Sequence, residues 1–165
     1  MLKPLDLVVL AGLIVVPKPT TQAQLASRLG ISQASVHRAF KQLRRSGLLH
    51  IERPDGSAMR RLLQYAIRNV YPPALGPMTR GVSTAYVRRT PWEQAPDRRG
   101  WVWPDEDGDA YGPSVAPLHP CVPRAARAWP EFHDLMALID TLRVGRARER
   151  KQALDLVDEI LEAAQ

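Results

Sequence analysis

A mainly α fold is predicted by three observations on this 165-residue chain. Apolar residues recur at spacings of three and four near both ends, and a capped pair of short amphipathic segments lies between Thr20 and Leu49. Between them and the carboxy-terminal helices, 11 of the 15 prolines crowd into residues 71–130, where that periodicity stops. The sequence therefore divides into a helical part over residues 1–70, a Pro/Trp-rich irregular segment over 71–130 packed on the core, and a carboxy-terminal helical region over 131–165.

The first element runs from Leu2 to Val16. Leu5, Val8, Val9, Gly12, Leu13 and Val16 follow helical spacing, Pro4 fits a first turn, and Pro17 and Pro19 force a stop. Asp6 is its only acid, so nearly the whole surface is apolar and the helix should be sandwiched between other elements.

Two helices joined by a tight turn follow. Thr20 or Thr21 caps the first, which carries Ala23, Leu25, Ala26 and Leu29; Gly30 supplies a left-handed residue at its end, and Ile31 plugs the corner. Ser32 caps the second, which runs from Gln33 to about Arg45 before Ser46-Gly47. Val36, Phe40 and Leu43 make its core stripe. Gln33, Ala34, Ser35, His37, Arg38, Lys41, Arg44 and Arg45 point elsewhere, and packing gives no reason for so many polar and cationic groups. The arrangement is that of a helix-turn-helix.

Leu48 to Arg53 reads as a short strand and Pro54-Asp55-Gly56-Ser57 as a turn, which together suggest a wing. No return strand is visible. Met59, Leu62, Leu63, Ala66 and Ile67 follow helical spacing instead, predicting a fourth helix from Ser57 to about Val70 that packs back on the first.

All four tryptophans, Trp92, Trp101, Trp103 and Trp129, lie within 71–130, which argues for an ordered segment tacked to the core by its aromatics. One hairpin is expected in it: Trp101 to Pro104 going in, Asp105 to Asp109 turning, Ala110 to Gly112 coming back. Residues 88–100 are expected to form a mobile loop. From Pro130, Phe132, Leu135, Met136, Leu138, Ile139 and Leu142 make one apolar helical face; Val144-Gly145 interrupts, and Leu154, Val157, Ile160 and Leu161 make another. A helical hairpin and one kinked helix are both compatible with that pattern, and its apolar faces are candidates for a seam between two copies.

Charge separates the two halves. Residues 1–70 hold 11 Lys+Arg against 3 Asp+Glu, a balance of +8, whereas residues 71–165 hold 12 against 14, a balance of −2. A polyanion is thus directed to the half containing the helix-turn-helix. With its second helix in a major groove, Gln33, Ser35, His37 and Arg38 would reach base edges. Arg28, Lys41, Arg44 and Arg45 sit where phosphates would be, and Arg53 with the Asp55-Gly56 turn would brush the adjacent minor groove. Double-stranded DNA is the expected partner.

The stretch QLASRLGISQASVHRAFKQLRRSGLL resembles the helix-turn-helix of winged-helix bacterial transcriptional regulators of the MarR and IclR kind, in which "A..LG.S...V.RAL..L...GL" recurs. The resemblance covers about the first 55 residues. It implies a second helix in the major groove contacting through Ser35, Arg38 and Lys41, a wing on the backbone, a homodimer, and a regulator, here a repressor. LIDTLRVGRARER, TRGVSTA and VWPDEDG resemble, more faintly, compact helix-turn-helix antitoxins, which implies the alternative of a protein that grips a toxin through its carboxy-terminal half and regulates its own operon. A helix-turn-helix used only for protein contacts is the third reading.

Enzymatic and cofactor chemistry find no motif. His119-Pro120-Cys121 and His133 lack zinc-ligand spacing, and the acids Asp105, Glu106, Asp107 and Asp109 lack the terminal glutamate of a calcium loop, Ala116 standing in its place. The basic run Arg143 to Lys151 reads as a solvated helix start. A single cysteine, Cys121, suits a reducing compartment, and the apolar run Leu7–Val16 is too short to span a bilayer. A cytoplasmic protein with no membrane contact and no cofactor is expected.

Overall fold

The computed structural model describes residues 1–85 and 100–164. In chain order these form α1 (Pro4–Val15), α2 (Gln22–Leu29), α3 (Gln33–Arg45), β1 (Leu49–His50), β2 (Arg53–Pro54), α4 (Gly56–Tyr65), α5 (Ile67–Val70), β3 (Leu75–Thr84), β4 (Trp101–Pro104), β5 (Ala110–Val115), α6 (Val122–Ala128), α7 (Pro130–Val144) and α8 (Ala147–Ala163). The fold is mainly α. The loop expected over 88–100 and Trp92 fall, apart from Gly100, outside the described residues.

Helix α1 starts where Pro4 removes a donor that no carbonyl could have met and the Asp6 carboxylate accepts the Lys3 N–H at 2.7 Å. Leu7 through Ile14 are all buried, as an all-apolar surface requires. Beside α1 a second helix is fully sunk: α7 buries Phe132 and every residue from Leu135 to Arg143. The two helices pack together and are surrounded by α2, α3, α5, α6, α8 and β3. One continuous cluster of buried side chains thus runs from Leu7 to Leu161.

The apolar faces of α7 and α8 are consumed inside the chain, not left for a seam between copies. Ala153, Val157 and Leu161 of α8 face inward, and the solvent side of α8 presents Arg148, Lys151, Asp155, Glu159 and Glu162. Gly145 separates the two helices into a hairpin, settling the alternatives that the sequence left open. Helix α4 packs chiefly on α8, where Arg60 Nε donates to both oxygens of Asp158 at 2.8 and 3.1 Å, and not mainly on α1 as its sequence suggested.

The segment over 71–130 is more regular than expected. Its centre is β3, flanked by β4 and β5, both antiparallel to it. The strands over 101–104 and 110–115 stand where the hairpin was expected, but each pairs with β3, and they meet one another only at a parallel bridge between Val102 and Ser114 that closes the sheet on itself. Gly81 makes the closure possible by pairing with Pro104 on one side and Ala110 on the other. A Cβ at that position would run into the Trp103 carbonyl.

A buried polar cluster ties this sheet to α7. The Asp140 carboxylate accepts from Thr84 Oγ1 at 2.8 Å, Trp103 Nε1 at 2.6 Å and Arg143 Nη1 at 2.7 Å. Burial pushes the Asp140 carboxyl above the usual range, while Arg143 and the two neutral donors pull it back. Arg143 also donates from Nε to the Tyr71 carbonyl at 2.9 Å, and the Tyr71 hydroxyl donates to the Leu2 carbonyl at 2.7 Å. The chain leaving α5 is thereby bound to α7 and to the segment that leads into α1.

Candidate nucleic-acid interface

The local chemistry that shapes α2 and α3 is complete. Thr21 and Gln24 form a reciprocal cap, with Gln24 N–H donating to Thr21 Oγ1 at 3.1 Å and Thr21 N–H to Gln24 Oε1 at 2.9 Å. Gly30 stands at φ 68° and ends α2 in the left-handed conformation. Ser32 Oγ then accepts the Ser35 N–H at 3.1 Å and starts α3. Buried Val36, Ala39, Phe40 and Leu43 seat α3 on α1 and α2.

With that stripe inside, the period of 3.6 residues turns Ala34, Arg38, Lys41 and Arg45 straight outward, with Gln33, His37 and Arg44 along one flank and Ser35 and Gln42 along the other. Gln33, His37, Arg38, Lys41, Arg44 and Arg45 are all exposed, and Ser35 is half-buried. Arg38 Nη2 donates to Ser35 Oγ at 3.0 Å, and that hydroxyl also shares a hydrogen bond with Ser32 Oγ at 2.9 Å. Arg38, Ser35 and the Ser32 cap thus hold one another in place at the start of α3. Ala34 stands outward as its spacing suggested, and Gln42, half-buried on the same surface, is the one residue of this face that the sequence reading left out although helical spacing alone identifies it.

The wing exists, smaller and earlier than the sequence suggested. Strands β1 and β2 pair Leu49 with Pro54 and His50 with Arg53 around a two-residue loop, Ile51-Glu52. The return strand is Arg53–Pro54 itself, which sequence reading assigned to the end of the outgoing strand and to a turn. Proline is tolerated there because the strand is an edge with only one partner. Asp55 then caps α4, accepting the Ala58 N–H at 2.8 Å, and lies 3.1 Å from His50 Nε2. The hydrogen bond from Ala58 and, secondarily, His50 hold the Asp55 carboxyl below the usual carboxylate range despite partial desolvation.

Two of the expected phosphate contacts have structural partners. Arg44 Nε donates to the Ile51 carbonyl at 2.8 Å, pinning the wing loop to α3, and its guanidinium lies 5.8 Å from the Phe40 ring centre. Arg28 lies over Trp129, 5.1 Å from the ring centre, joining α2 to the start of α7. Both remain exposed. Arg53 is exposed on β2.

The electrostatics of this face are one-sided. Of the three acids in residues 1–70, Asp6 is buried against Lys3 and Asp55 is engaged at the cap, leaving Glu52 on the wing as the only exposed carboxylate. A surface of this kind binds an extended anion by neutralising phosphates and offers amide, hydroxyl, imidazole and guanidinium groups to base edges. Among the described residues, no three His, Cys, Asp or Glu side chains gather as a metal site, and no helix is long and apolar enough to cross a membrane.

A family model described as MarR family matches residues 2–58, the stretch from α1 through the wing to the start of α4. No curated protein and no solved structure matches the chain.

Proposed function

With residues 2–58 forming a MarR-family winged helix-turn-helix domain, of the kind found in DNA-binding transcriptional regulators, we propose that this protein is a sequence-specific regulator, most simply a repressor, working in the cytoplasm and without enzymatic activity. Helix α3 lies in the major groove, Gln33, Ser35, His37 and Arg38 read bases, and Lys41, Arg45 and the exposed part of Arg44 meet phosphates. Arg53 and the wing track the neighbouring backbone. The observation that carries this reading is the outward face of α3: capped, seated by a complete apolar stripe, dense in donors and free of carboxylates.

Dimerisation is usual for the family and would place two α3 helices on half-sites about one DNA turn, ~34 Å, apart. The test is selection of bound duplexes from random DNA, followed by titration at several salt concentrations. Recovery of paired half-sites is expected. Arg38→Ala should weaken binding by about 1–3 kcal/mol and relax the preference at one base, whereas Lys41→Ala should weaken all sequences and lower the salt slope by about one. No binding at low salt overturns the proposal.

A protein partner for the carboxy-terminal half, as in the antitoxin reading, is favoured by one observation: Leu75, Met78 and Tyr111 are exposed on β3 and β5. A tight complex with a product of a neighbouring gene would support it, and a free protein in its native host would not.

A further inference from the structure

Ile51 is the anomaly of the wing. It is 83% exposed and has φ 60°, a left-handed conformation that a β-branched side chain adopts only under strain. Glycine would make the same two-residue loop without that penalty. The strained tip is also held: Arg44 of α3 grips its carbonyl at 2.8 Å, so the tip keeps one position relative to the groove-reading helix. The wing thus presents an isoleucine, flanked by the Glu52 carboxylate, where an electrostatic contact would need a cation.

We infer that Ile51 is a specificity-determining contact, an apolar side chain placed in the minor groove beside the α3 site, where it favours A·T pairs. This rests on the DNA-binding reading of α3. The minor groove is about 6 Å wide and admits aliphatic wedges, and the guanine amino group projecting from its floor obstructs such a side chain at G·C pairs. Phosphate attraction is left to Arg53 and the cations of α3, and shape is read by Ile51.

The experiment uses the full chain and a duplex recovered by wild-type selection from random DNA. At the pairs flanking the α3 site, A·T is replaced by G·C or by inosine·C, which lacks the minor-groove amino group. Wild type should lose about tenfold in affinity on G·C and recover it on inosine·C. Ile51→Gly and Ile51→Asn should bind the original duplex about tenfold more weakly, with an unchanged salt slope, indifference to the flanking pair and no loss of thermal stability. Ile51→Val should retain wild-type behaviour.

Equal affinity and equal flanking preference in wild type and Ile51→Gly overturn this inference while leaving the α3 reading intact. So does a loss in Ile51→Gly that comes with a lower salt slope. Failure of wild type to select any sequence overturns both.

Discussion

The indole Nε1 of Trp103 donates to the carboxylate of Asp140 at 2.6 Å, joining the middle of β4 to the middle of α7 inside the protein. Asp140 receives two further donors, and one of them, Arg143, is itself buried. Asp140→Ala therefore leaves a sunken guanidinium without its carboxylate. Urea unfolding should register a loss of about 3–5 kcal/mol. A loss below about 1 kcal/mol would mean that water or another acceptor replaces the carboxylate.

Asp55 gives the protein an acid-sensitive cap. Its folded-state pKa is lowered, so its contribution is fully present above the ordinary carboxylate value, about 3.9, and is lost as pH falls through the lowered folded value. Asp55→Ala should remove about 1 kcal/mol at neutral pH, and Asp55→Asn less. Both variants should flatten the decline in stability on acidification, as read by thermal unfolding between pH 6 and about pH 2.5.

Arg44 tests whether the wing is positioned by α3. Arg44→Ala removes the donor to the Ile51 carbonyl and should raise amide exchange in the residues around the loop, without change in the α1 and α7 amides. Arg44→Lys keeps a charge for phosphate but not the guanidinium Nε, so it should retain the salt slope while the wing amides exchange faster. Unaltered exchange in Arg44→Ala would show that β1–β2 pairing alone fixes the loop.

Gly81 should accept no side chain. Gly81→Ala drives a methyl into the Trp103 carbonyl at the point where β3 is paired on both sides. The expected loss is about 3 kcal/mol, at the upper end of overpacking costs, in thermal or denaturant unfolding. By contrast Arg28→Ala, which deletes one cation over Trp129, should cost only about 0.5–1 kcal/mol.

What sequence could reveal follows the range of the forces involved. The caps of α2 and α3, the turn at Gly30 and the stripe of Val36, Phe40 and Leu43 depend on residues within one or two turns, and each stands as its spacing suggested. The return strand of the wing escaped notice because two residues per strand leave no alternation to detect, and Pro54 resembles a turn residue. Strand β3 was hidden differently: Gly76, Pro77 and Gly81 break its pattern, and its pairing partners lie 17 or more residues on. Its register comes from closure with β4 and β5, which no local window contains. At the candidate interface, the exposed polar face of α3 was legible. The partners of Arg28 and Arg44 were not, because one is an indole between two helices distant in sequence and the other a backbone carbonyl.

The two sunken helices lie far apart along the chain. More than a hundred residues separate the start of α1 from that of α7. At 5–20 residues per second, α1 therefore emerges from the ribosome roughly six to twenty-five seconds before the helix that covers it. During that interval the part of its apolar surface that α7 buries stays uncovered. A message cut short after the wing would yield α1, α2 and α3 without the helix that covers the remaining face of α1.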